Sequence, residues 1–225
     1  MSRSNALLLA SRTLVDLLCR RAESPGRGVA IFSPSGELHE ETLSMEALER
    51  RARAIGAALQ DRRLQGRAVL MLYPSGLDYL AGFFGALFAG VVAVPAYPPE
   101  PTRLHRTLPR LQAIAKDAGV SAVVCTAAVA EAARAFLHLA PELAALEWIT
   151  TDTVPDAQAL SWRAPALTGQ TVAYLQYTSG STASPKGVVI RHDNLLYTLA
   201  DIDAALVHDS DSVMVSWLPV YHDMG

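Results

Sequence analysis

Between Ala173 and Leu195 the chain reads AYLQYTSGSTASPKGVVIRHDNL. Thr178, Ser179, Gly180, Ser181, Thr182, Ala183, Ser184, Pro185, Lys186 and Gly187 place small hydroxyl residues, glycine and a lysine between two apolar runs. Small residues let a backbone come close to a ligand, and successive N–H groups can cradle an anion. Ser and Thr hydroxyls add donors, and a lysine adds a mobile positive charge. The composition suits phosphate oxygens. It is not a Walker A loop, which needs Gly-Lys-Ser/Thr opening a helix. Here Pro185 precedes the lysine, Gly187 follows it, and the next residues read as a strand. On composition alone, a Ser/Gly-rich hairpin connection fits equally well.

The elements that must hold this loop are legible around it. Thr13 and Ser44 stand where two helices would begin, each ahead of apolar residues at helical spacing. In the second of these helices the arginines are expected to face water. GVAIFSPSGELHEETLS reads as two short strands joined by a turn. From Gly66 onward, apolar strands (RAVLMLY, VVAVPAY, SAVVCT, LEWITTD) alternate with helical patterns (LDYLAGFFGALFAG, LPRLQAIAKDAG, VAEAARAFLHLA). Strands without polar alternation, separated by helices, predict an α/β fold: a layered, mainly parallel sheet flanked by helices. Residues 1–152 are read as a first α/β part and 153–170 as a surface connector rich in Pro, Ala and Thr. Residues 171–225 are read as the phosphate-loop segment, followed by a helix from Asn194 to Val207 and a last strand, SVMVSWLP.

Composition narrows the function classes. Half the residues are hydrophobic (51%) and few are charged (18%), so a sizeable core is expected. A net charge of −3 without a long basic run argues against nucleic acid as the main partner. Two distant cysteines, Cys19 and Cys125, form no disulfide framework and suit a cytoplasmic protein. His39, His105, His138 and His208 show no metal-ligand spacing, and no run reaches the ~20 apolar residues of a membrane span. Arg103, Arg106 and Arg110 recur near helical spacing and read as a solvated face, or as a contact for an acidic partner.

YTSGSTASPKG resembles the phosphate loop of the adenylate-forming, acyl-activating enzyme superfamily, matching at Thr178, Ser179, Gly180, Ser181, Thr182, Pro185, Lys186 and Gly187. It departs at Ala183, where many members have Gly. VVIRHDNL is similar to the segment that follows in the family, with His192 and Asn194 matching as structural residues. SWLPVYHDMG, from Ser216 to Gly225, and VPAYPPEPTRLHRTL resemble the fatty acyl-AMP ligase branch.

The resemblance implies a phosphate site made by Thr178, Ser179, Gly180, Ser181, Thr182, Lys186 and Gly187, binding ATP with Mg²⁺. It also implies an acyl pocket touched by Trp217, Tyr221, His222 and Asp223, with Lys186 and His222 in catalytic roles. The implied reaction joins a fatty acid to ATP, giving acyl-adenylate and pyrophosphate, and passes the acyl group to the phosphopantetheine of an acyl carrier protein. The alternatives are a long-chain acyl-CoA ligase fragment and a non-catalytic interaction module that keeps the fold. The family's adenine and ribose motifs, its C-terminal lysine and the insertion that marks the branch come later than Gly225. The chain is therefore expected to be the front of a longer enzyme's large N-terminal domain, inactive alone, with an apolar patch at Val213, Val215, Trp217 and Leu218.

Overall fold

The computed structural model describes residues 8, 10–23, 29–32, 41–99, 101–177, 185–207, 209 and 212–219. Helix α1 spans Leu14–Ala22 and opens with a capping box. The Thr13 hydroxyl accepts from the Asp16 amide, and the Asp16 carboxylate accepts from the Thr13 amide, both at 3.1 Å. Strands β1 (Val29–Phe32) and β2 (Glu41–Ser44) pair antiparallel as a separate two-stranded sheet. The Ser44 hydroxyl then caps α2, Met45–Asp61, by accepting from the Ala47 amide.

The main sheet begins with β3 (Ala68–Leu72), followed by α3 (Leu77–Ala89) and β4 (Val92–Ala96). Gly90 ends α3 in the left-handed conformation, φ 69°, that frees its last carbonyls for capping. The chain continues through α4 (Leu104–Ala118), β5 (Ala122–Cys125), α5 (Ala127–Arg134), α6 (Pro141–Ala144) and β6 (Glu147–Thr150). It returns through β7 (Val172–Tyr177), β8 (Gly187–Arg191) and α7 (His192–Leu206). The strand order is β6-β5-β3-β4-β7-β8, parallel throughout except for β8, which runs antiparallel to β7.

The pleat divides the core in two. Val69, Met71 and Tyr73 face α1, α2 and α3, whereas Leu70, Leu72 and Val94 face α4 and the α5–α6 region. Both sets are buried, which explains why β3 reads as a continuous apolar run. Helices α2 and α3 approach so closely that a Cβ on Gly85 would lie 2.4 Å from Ile55 Cγ2. Phe88 is fully buried and Phe83 and Phe84 pack against the same core, as core aromatics should.

Two expectations are corrected. The arginines of α2 do not all face water. Arg51 donates to the carbonyl oxygens of Thr151 and Val154 and to Asp156, and Arg53 stacks over Trp162 at 4.6 Å. The connector is thereby docked on α2, and the Trp162 indole donates to the Phe88 carbonyl at 2.7 Å. Helical spacing marks which side chains leave the apolar face, but a chain segment returning from a hundred residues away supplies carbonyls that spacing cannot reveal.

The second correction concerns SVMVSWLP. Residues 212–219 are not a strand, and Val213, Val215 and Trp217 are at least 80% exposed. An apolar run signals a preference for burial, but a strand exists only where a neighbour completes its ladder. None of the described strands pairs with it. Val213, Val215, Trp217 and Leu218 are each exposed.

Candidate functional site

The chain leaves β3 toward one face of the sheet and β4 toward the other, since α3 and α4 pack in the two separate cores. Where adjacent parallel strands send their connections to opposite faces, a crevice opens beyond their carboxyl ends, the usual ligand position in open α/β sheets. Strand β7 lies beside β4 and ends at Tyr177 on that same edge. The candidate phosphate loop thus starts at the crevice and returns as β8, with Tyr177 opposite Gly187 in the register. The expected strand–loop–strand placement holds.

Thr178, Ser179, Gly180, Ser181 and Thr182 lie outside the described residues, as do Tyr221, His222 and Asp223. Lys186 stands exposed at the far end of the loop and Pro185 is half-buried beside it. Gly187 has a steric reason to be glycine. A Cβ there would sit 2.8 Å from the Tyr177 ring, closer than real contacts allow. Trp217 is 90% exposed and far from enclosing any pocket among the described residues.

Sequence reasoning gave Tyr177 no role. Its ring lies under Gly187 and its hydroxyl donates to the Asp117 carboxylate of α4 at 2.5 Å. Burial, then the bond to Asp117, raises the phenol well above its ordinary value, so it stays a donor. Tyr177 thus ties the hairpin to α4. The same tyrosine walls a cavity of about 280 Å³ with Ala96, Tyr97, Arg103 from the turn before α4, and Arg106 and Arg110 of α4 itself. The arginine spacing was visible in sequence; that it opens on the loop's root was not, because the register of β4 against β7 sets it.

At the other end of β8, His192 is buried and structural, as expected. Its Nδ1 accepts from the Leu14 amide at 3.3 Å, joining the start of α7 to the start of α1. Burial lowers its pKa, opposed by Asp16 and Asp193. The Asn194 side chain accepts from the Arg191 amide at 3.0 Å, closing the turn from β8 into α7. Asp193 accepts from the Asn194 amide at 2.8 Å in the first turn of α7, and from the Arg191 and Gln170 side chains.

Among the described residues no three His, Cys, Asp or Glu side chains come together as a metal site, and no helix is long and apolar enough to cross a membrane. Residues 19–225 match the family model described as AMP-binding enzyme. The chain is 41% identical over 215 residues to the medium-chain-fatty-acid–[acyl-carrier-protein] ligase of Moorena producens (strain JHB), covering 95% of this chain and 36% of that protein. It is 40% identical over 196 residues to the long-chain-fatty-acid–AMP ligase of Mycolicibacterium smegmatis (strain ATCC 700084 / mc(2)155), covering 86% of this chain and 30% of that one. The crystal structure of a fatty acyl-adenylate ligase from L. pneumophila, in complex with acyl adenylate and pyrophosphate, superposes with a TM-score of 0.86 at 33% identity. That match covers 97% of this chain and 37% of that one, so the chain spans about a third of the length of its relatives. With the loop, the sheet and these likenesses in agreement, the chain belongs to the AMP-binding family of adenylate-forming enzymes and is similar to its fatty acyl-AMP ligases.

Proposed function

We propose that this chain is part of a fatty acyl-AMP ligase and supplies its phosphate loop. In the proposed reaction a fatty acid carboxylate oxygen attacks the α-phosphorus of ATP. The bond to the bridging oxygen breaks, pyrophosphate leaves, and acyl-adenylate remains. Negative charge grows on the leaving pyrophosphate, so donors and cations aimed there act in the transition state. Lys186 is assigned that role, with the amides and hydroxyls of Thr178, Ser179, Gly180, Ser181 and Thr182 holding phosphate oxygens. His222, Trp217, Tyr221 and Asp223 are assigned to the acyl side by their motif, with His222 beside the reacting carboxylate. The phosphopantetheine thiol of an acyl carrier protein in the cytoplasm then attacks the acyl carbonyl, the bond to the phosphate breaks, and AMP leaves as the thioester forms.

The observation that carries this reading is the place of the YTSGSTASPKG loop between β7 and β8, starting on the sheet edge where the crevice beyond the carboxyl ends of β3 and β4 opens. Mg²⁺ normally binds substrate phosphates with one or two carboxylates. The ion would arrive with the substrate phosphates, and no step is assigned to it.

The test is fatty-acid-dependent ATP–pyrophosphate exchange, run on this chain and on the longest natural protein that contains it. Exchange in the longer protein, followed by acyl transfer to a carrier protein and not to CoA, is the expected result. Transfer to CoA instead would make the parent an acyl-CoA ligase. No exchange in either would leave a non-catalytic module.

A further inference from the structure

Tyr177 directly precedes Thr178, and Gly187 directly follows Lys186, so the two ends of the candidate phosphate loop meet at this pair. The ladder sets Tyr177 opposite Gly187. The Tyr177 ring also lies against Gly187, where an added Cβ would come within 2.8 Å of it. One side chain thus belongs to the strand by which the loop leaves and touches the strand by which it returns. The ring is fixed in turn: it is buried with Leu108, Leu111 and Ile114 of α4, and its hydroxyl donates to Asp117 Oδ2 near the end of that helix at 2.5 Å. Packing alone would be served as well by phenylalanine. The hydroxyl reaches past the core to a carboxylate that stands exposed, and water would satisfy that carboxylate without it. A bond that the core does not need, placed at the root of the loop, fits a role in aiming it.

We propose that Tyr177, held by Asp117, is a positioning residue for adenylation: it fixes the rung from which the loop leaves and returns, and so where Lys186 presents its charge. The proposal rests on the adenylation reading. Lys186 is joined directly to Gly187, so a ring that shifts moves the backbone of the lysine with it. The strand that carries Gly187 and Lys186's neighbour Val188 lies at the sheet edge among the described strands, and Val188 and Val189 are about half exposed. Its ladder with β7 also slips in register between Val172 and Tyr174. The contact with Tyr177 is therefore the firm point closest to the lysine. Misplacing a reacting group by about 1 Å costs on the order of a hundredfold in rate, and loosening the ring by one hydrogen bond costs part of that. Tyr177 touches no reacting atom in this assignment; it acts through Lys186.

The test is fatty-acid-dependent ATP–pyrophosphate exchange in the longest natural protein that contains this chain. Tyr177→Phe should slow exchange about tenfold and leave the KM for fatty acid unchanged. Its urea midpoint should barely move, since water replaces the hydroxyl at the exposed Asp117. Asp117→Ala should slow exchange to the same extent, whereas Asp117→Asn, whose amide oxygen still accepts, should keep most of the wild-type rate. In the Lys186→Ala background Tyr177→Phe should cost little more, because the group it positions is already gone. A merely structural role would instead multiply the two losses and lower the urea midpoint in step. Multiplied losses, equal effects of Asp117→Asn and Asp117→Ala, or a wild-type rate in Tyr177→Phe would each overturn the positioning role and leave the adenylation reading intact. A wild-type protein without exchange would overturn that reading, and the positioning role with it.

Discussion

Strands β3 and β8 belong to one sheet, yet they live under opposite constraints. Every residue of β3 from Val69 to Leu72 is buried, between α3 on one face and α4 on the other. In β8, Val188 and Val189 are about half exposed, and among the described strands β7 is its only paired neighbour. Both runs are rich in β-branched or aliphatic residues, so propensity does not distinguish them. What differs is the job. The centre is packed on both faces, whereas the edge carries the loop and, beyond its pairing with β7, is tied to the helices by Tyr177 to Asp117 at one end and His192 to Leu14 at the other.

The contrast breaks most sharply by deletion. Leu72→Ala should cost about 2–5 kcal/mol, because its cavity cannot collapse between two helical layers. Val189→Ala on the exposed edge should stay within about 0.5 kcal/mol. Urea unfolding of the two variants measures the gap, and equal costs would erase the distinction.

Arg51 probes a tether at the centre. Arg51→Met keeps the side chain's bulk but removes the donors for the Thr151 and Val154 carbonyls and the bond to Asp156. A loss of about 1.5–3 kcal/mol is expected, with earlier proteolytic cutting between residues 153 and 163. Gly187→Ala probes a tether at the edge. The new methyl must displace the Tyr177 ring, at a cost of about 1–3 kcal/mol. Repacking should show as a changed near-ultraviolet signal, and Tyr177→Leu in the same background should recover part of the loss.

The parallel core was legible because its signals are local. Runs such as RAVLMLY and VVAVPAY needed only burial on both faces, and Thr13 and Ser44 needed only their own first turn to act as caps. The misread parts depend on partners distant in sequence. Arg51 faces carbonyls from a connector a hundred residues later, and residues 212–219 have the apolar pattern of a strand but no ladder among the described residues. For the site, the loop's motif and its place between two strands were readable. Tyr177's bond to Asp117, and the arginine face beside it, follow from how β7 and α4 meet, which no local pattern encodes.

The smallest effect expected is the pH response of the other tether. Burial lowers the His192 pKa below its ordinary 6.5, so the folded state favours the neutral ring that accepts from Leu14. As pH falls below 6.5, the unfolded chain takes up a proton that the folded chain resists, and stability declines. Above that value the contribution is fully present. His192→Gln should flatten this part of the stability-versus-pH curve, read by urea midpoints across the range. An unaltered slope would place the titration elsewhere.

The central claim is that the β7–β8 loop acts on the phosphates of ATP, and Lys186→Ala in the longest natural protein tests it most directly. The measurement is the fatty-acid-dependent ATP–pyrophosphate exchange rate, with fatty acid binding followed in parallel. A rate loss equivalent to about 2–4 kcal/mol is predicted, as for a lost donor to a developing anion, with fatty acid affinity little changed. An unchanged exchange rate would contradict the account and remove Lys186 from the chemistry.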